Sequence, residues 1–165
     1  VLAKRSGLIW LTLSALVLVL DWGTKTWVVS AMSLRESIDV LPFFNITYVH
    51  NYGAAFSFLS DAGGWQRWFL SAIAVTISVL LVWWLKRLPA TNKLLGSAYA
   101  LVLAGALGNL YDRLHYGYVI DFIHVYYQDW HYPAFNIADC AICIGAALLL
   151  FDAFKSSSKE EQAHE

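Results

Sequence analysis

The sequence predicts a membrane protein of the all-α class, with four transmembrane helices and a small outer β-like segment between the first and the second. Three observations lead there. Hydrophobic residues fill 59% of the 165 positions and charged residues only 14%, against about half and about a quarter in a soluble domain. The apolar excess is gathered into four blocks, each near the ~20 residues a helix needs to cross a hydrocarbon core. Basic residues collect on one side of those blocks. The net charge of −1 offers no surface for nucleic acid.

The first block runs from about 8 to 29. Lys4 and Arg5 ahead of it would suit a cleavable signal. Asp21 and Lys25 inside the block, and three further spans, favour a retained helix. The outer segment follows, over about 30–67. Within it "FFNITYVHNYGAAFSF" alternates aromatic and β-branched residues with polar ones, the pattern of short strands lying on the membrane surface. Gly53 there suits a turn or a close backbone approach. The second span covers about 68–85. It carries only Ser71, Thr76 and Ser78 as polar groups and reads as scaffold.

The third span covers about 94–110 and the fourth about 137–154. Between them, 111–136 carries Tyr116, Tyr118, Tyr126, Tyr127, Trp130 and Tyr132, rings that suit an interfacial belt. The tail "KSSSKEEQAHE" (about 155–165) is polar enough to be disordered. The chain thus reads as one integral membrane domain over 1–165. Seven of the eleven Lys and Arg lie before the first span, between the second and third, or after the fourth. The positive-inside rule therefore puts both termini in the cytoplasm.

Ionisable groups within a membrane are costly and default to function. At ~1.5 Å per residue, Asp21 lies ~20 Å up the first span, with Asn109 at a similar height on the third. Asp112 and Arg113 follow within a turn, and Asp139 stands near the outer start of the fourth span. Gly105, Asn109, Asp112 and Arg113 share one helical stripe, Asn136 and Asp139 share a face, and Asp21 can pair with Lys25. Gly105 and Gly108 admit a close neighbouring helix. Each feature has a plain alternative: a helix-end ion pair for Asp112 and Arg113, a structural pair for Asp21 and Lys25, and a favourable N-terminal charge for Asp139. Their convergence at one depth argues for a site just beneath the outer surface.

The chemistry narrows by residue type. Ser57, Ser60 and His50 have no spacing that specifies a nucleophile and base. His115, His124 and His131 lack the HExxH spacing of a metal site, so no metal and no cofactor is expected. Carboxylates remain. Two held close together share one proton, and such a pair activates water and polarises a carbonyl without a covalent intermediate. Asp121 and Asp139 suit this best because no basic residue adjoins them, although spacing alone leaves Asp112 in contention. Cys140 and Cys143 suggest, as a rival, a quinone-linked four-span thiol oxidoreductase. Such an enzyme needs a second cysteine pair, which the chain lacks, so two small core thiols is the simpler reading. A proton-coupled transporter would place its carboxylates near the midplane, usually with internal repeats. A structural subunit would use its polar groups only against a partner.

Five motifs in order resemble the lipoprotein signal peptidases, the signal peptidase II family of bacterial inner membranes. They are "DWGTK" (21–25), "NYGAAFSF" (51–58), "GALGNLYDR" (105–113), "VIDF" (119–122) and "FNIAD" (135–139). Ala104 departs from the glycine of many members, at a packing position. The resemblance implies an intramembrane aspartyl peptidase of the bacterial inner membrane, with its active site near the periplasmic face. Its partners would be membrane lipids and prolipoproteins that carry a diacylglyceryl group, cut just before the lipidated cysteine. The resemblance also implies Asp121 and Asp139 as the catalytic pair, with Asp21, Asn51, Asn109, Arg113 and Asn136 in support. Lys25, Gly53 and Asp112 join these as supporting residues by their place in the motifs. Arg113 and Asn51 would hold carbonyls near the scissile bond, and Asp21 and Asn136 would orient their neighbours.

Overall fold

A computed structural model describes residues 6–53 and 63–163. Lys4, Arg5, Ser57, Ser60 and the last part of "NYGAAFSF" lie outside the described residues. The helices are α1 (Leu11–Ala31), α2 (Trp65–Arg87), α3 (Lys93–His115) and α4 (Ile137–Ala163). A single 3-10 turn, Gly7–Trp10, leads into α1. Four stretches, Gly7–Ala31, Trp65–Arg87, Lys93–His115 and Ile137–Lys155, are long and apolar enough to cross a membrane. Their leucines, valines and tryptophans face outward in large numbers, as suits a surface that faces lipid.

α3 is the central helix, with 56% of its span buried against 17% for those of α1 and α4. Its N-terminus is capped by Asn92, whose Oδ1 accepts the Leu95 N–H at 3.2 Å. Its end is closed by Gly117, whose φ of 88° is the left-handed conformation glycine adopts without strain. A Cβ on Gly105 would collide with the Ala138 carbonyl and with Ile142, and one on Gly145 would stand 2.6 Å from Val102 Cγ2. Close contact of small residues is what packs helices where lipid removes the hydrophobic drive. Ser14 ties α1 to the same helix, donating to the Ala100 carbonyl at 2.8 Å.

Four antiparallel strands form one sheet in the order β1 (Ser37–Leu41), β2 (Phe44–Asn51), β3 (Val119–Tyr127) and β4 (Trp130–His131). The strand character expected between the first two helices is present, but half of the sheet comes from the second outer segment. "VIDFIHVYY" carries no alternation of apolar and polar residues, and its first four residues are all buried, so it lacks the period-2 signal of a surface strand. The register pairs Val49 with Asp121 and Asn51 with Val119. Because side chains alternate across a strand, Asn51 and Asp121 fall on one face. Phe135 pins the approach to α4 against β3, its carbonyl accepting from Phe122 and Ile123. Val28, Met32, Tyr48, Ile120 and Phe122 form the core beneath the sheet.

α4 also departs from expectation, continuing to Ala163 through the stretch read as a disordered tail. Extending an existing helix adds one hydrogen bond per residue with no new nucleation cost, and Lys, Glu, Gln and Ala are good helix formers.

Candidate active site

The residues read as a site meet in one polar cluster. Asp121, on β3, is 2% exposed. Its Oδ1 accepts from Asn136 Nδ2 at 2.8 Å and its Oδ2 from Asn51 Nδ2 at 3.0 Å. Asp139 lies in the first turn of α4, where Oδ1 accepts from Asn109 Nδ2 at 2.7 Å and Oδ2 from the Asn136 N–H at 3.3 Å. Asn136 Oδ1 accepts the Asp139 N–H at 2.9 Å, so the two residues make a reciprocal capping box. The favourable N-terminal charge considered for Asp139 is thus present alongside its place in the cluster. Asn136 is fully buried and touches both carboxylates.

Burial first, and then the neighbouring Asp139, raise the Asp121 carboxyl to about 7. Desolvation and a like charge both disfavour the ionised form. Donation from Asn51 and Asn136 and the positive charge of Lys25 work in the other direction.

Arg113 reaches over the cluster from α3, donating to the Gly53 carbonyl at 3.1 Å and to the Asn109 carbonyl at 3.4 Å. Gly53 in turn donates its N–H to Asn51 Oδ1 at 3.0 Å, a local turn closed by the asparagine side chain. Asp112 does not form the helix-end pair with Arg113. It turns inward to Lys25, 2.9 Å away, and Lys25 also makes the expected pair with Asp21 at 2.7 Å. The i, i+4 spacing made the second contact legible, whereas the first crosses between helices.

A cavity of about 760 Å³ opens beside the carboxylates. Asn51, Asn109, Arg113 and Asp139 form its polar end, Ala106 lies on its α3 side, and Trp130, Tyr132 and Phe135 stand over it. Ile73, Ala74 and Ile77 of α2 face Ile142, Cys143 and Ile144 of α4 along the rest. The second span is therefore a wall of the cavity as well as scaffold. Cys140 is half-buried and Cys143 exposed, both free thiols that line the cavity and are not core residues. A second cavity, of about 680 Å³, lies against Trp10 and Lys93 and is lined by no carboxylate. Among the described residues no three His, Cys, Asp or Glu side chains form a metal-binding group.

What the arrangement offers is a pair of carboxylates held by amides, Asp121 buried and Asp139 half-buried at the polar end of an apolar cavity. The family model described as signal peptidase (SPase) II matches residues 13–155. A lipoprotein signal peptidase of Pseudoalteromonas translucida is 74% identical over 97% of this chain and 96% of its own length. Others from Alteromonas mediterranea and Shewanella amazonensis are 59% and 56% identical, covering 98% and 97% of this chain and 88% and 95% of their own. Among solved structures, a bacterial membrane enzyme determined in meso at 2.3 Å resolution superposes with a TM-score of 0.81 at 32% identity, over 92% of this chain and 90% of that one. Another, at 1.9 Å, gives 0.74 at 33% identity over 89% and 93%.

Proposed function

The chain belongs to the signal peptidase II family, membrane enzymes of the aspartyl type that process lipoproteins, and from that premise we propose that Asp121 and Asp139 are its catalytic pair. The family sets aside the thiol oxidoreductase and the transporter. The observation that carries the assignment is Asn136, whose side-chain amide donates to Asp121 while its backbone N–H donates to Asp139. One residue thereby fixes both carboxylates, as a shared-proton mechanism needs.

In the proposed reaction Asp121 holds the proton of the pair and Asp139 is ionised. Asp139 takes a proton from a water as its oxygen attacks the scissile carbonyl, while Asp121 gives its own proton to the carbonyl oxygen. The tetrahedral diol collapses when Asp139 returns its proton to the leaving nitrogen and Asp121 recovers one from the diol. The C–N bond breaks and the pair regains its starting protonation. Arg113 and Asn51, at the mouth of the polar end, would hold backbone or ester carbonyls of the substrate.

The substrate we infer is a prolipoprotein carrying a diacylglyceryl group on its cysteine, cut at the bond before that residue. An apolar groove ending at a polar cluster suits a signal helix and acyl chains that approach through lipid. Lys86 and Arg87 end α2, and Lys93 begins α3, at the end remote from the sheet. That asymmetry supports both termini in the cytoplasm, the sheet in the periplasm and the inner membrane as the location. Asp121→Asn and Asp139→Asn should each reduce cleavage of a diacylglyceryl-modified precursor below detection while inserting and folding normally. Substantial cleavage by either variant refutes the pair.

A further inference from the structure

Behind the carboxylate pair lies a second polar group in which one ammonium serves three acceptors. Lys25 Nζ is 2.7 Å from Asp21 Oδ2 and 2.9 Å from Asp112 Oδ2, and donates to Asn109 Oδ1 at 3.3 Å. An ammonium has three N–H donors and no acceptor, so its capacity is filled. The remaining bonds of the two carboxylates are the informative ones. Asp21 Oδ1 accepts the N–H of Ala138 at 2.9 Å, and Asp112 Oδ2 accepts the N–H of Ile120 at 3.1 Å. Ala138 immediately precedes Asp139, and Ile120 immediately precedes Asp121. The residue before each member of the pair is therefore anchored by its backbone N–H to a carboxylate that Lys25 holds. Asn109, whose oxygen faces the same ammonium, turns its amide nitrogen to Asp139.

We propose that Lys25, given Asp121 and Asp139 as the catalytic pair, is the positioning residue that sets their spacing and orientation by bracing the backbone N–H of the residue before each, Ile120 and Ala138, through Asp112 and Asp21. Stability alone does not account for the arrangement. Apolar packing in place of a buried ion-pair cluster is often neutral or stabilising, so a purely structural end does not call for this arrangement. The brace also spans elements that are far apart in sequence: Asp21 and Lys25 on α1, Asp112 and Asn109 on α3, Ile120 on β3 and Ala138 on α4. Asp121 itself is faced by Asp139 from α4, Arg113 from α3, Asn51 from β2, Asn136 from the start of α4 and, at longer range, Lys25 from α1.

Two variants of the full chain test this, assayed on a synthetic diacylglyceryl peptide. Lys25→Met removes all three donors. The triple variant Asp21→Asn, Lys25→Met, Asp112→Asn keeps amide oxygens able to accept from Ala138 and Ile120, and removes the charges. Lys25→Met should lower kcat about 100-fold, the scale of a misplaced catalytic group, with KM changed by less than about threefold. Its alkaline pH limb should move up, since the Lys25 charge favours ionised Asp121. The triple variant should regain the thermal midpoint but neither kcat nor the position of the limb. If Lys25→Met fails to fold, the triple variant decides. A loss of thermal stability with unchanged kcat and an unmoved limb would overturn the brace, as would wild-type kcat in the triple variant. Cleavage surviving in Asp121→Asn instead removes the pair itself, so the two failures are distinct.

Discussion

Replacing Asn51 with leucine tests how the protein sets the proton of its carboxylate pair. Asn51 Nδ2 donates to Asp121 Oδ2 at 3.0 Å, and that bond favours the ionised carboxylate. A hydrogen bond to a charged group contributes about 1.5–3 kcal/mol, and 1.36 kcal/mol corresponds to one pH unit. Leucine is close in size and cannot donate. Asp121, already at about 7, should therefore hold its proton about one to two pH units higher. The sign follows directly. The pair works with one proton, that proton leaves as pH rises through the Asp121 value, and activity falls on the alkaline side. With a weaker acid the fall begins later. The assay is kcat/KM for a diacylglyceryl peptide across the pH range in one detergent, which reports the free enzyme's coupled groups. An alkaline limb that stays in place or moves down would refute the reasoning, whatever the absolute rate of the variant.

Three further outcomes are expected. Gly108→Ala would put a Cβ 2.6 Å from Asp21 Oδ2 and 3.2 Å from the Ala138 Cβ. An overpacked contact of this kind costs about 1–3 kcal/mol, so the thermal midpoint in detergent should fall and cleavage with it. The double change of Cys140 and Cys143 to serine should retain cleavage within about threefold, since no thiol enters the reaction; a loss beyond tenfold would give the thiols a role. Ala106→Leu would extend a side chain into the cavity beside Asn109. It should raise KM by roughly tenfold with kcat little changed, and a kcat effect alone would mean that the substrate does not occupy that wall.

The spans were legible because crossing a membrane is a local demand on length and composition, met separately by each apolar block. The shared depth of Asp21, Asn109, Asp112 and Asp139 followed from the rise of a helix, and the Asp21–Lys25 pair from its i, i+4 spacing. The capping box of Asn136 and Asp139 was visible as two residues on a face. By contrast, β3 lacked the period-2 signal of a surface strand, and the cavity-lining role of Cys140 and Cys143 was concealed by the apolar run around them.

By itself, then, the sequence determined which segments enter the bilayer, at what height their polar groups stand, and through its motifs which family they resemble. Only the tertiary structure decided who faces whom. Asp112 meets Lys25 and not its neighbour Arg113. Asn51 reaches Asp121 because a strand register brings together positions 70 residues apart. Asn136 joins Asp121 to Asp139 because Phe135 is pinned to β3. The physical reason is range. Hydropathy and helical periodicity act over a turn or a span, whereas a hydrogen bond between distant segments exists only once packing has brought its donor and acceptor within about 3 Å.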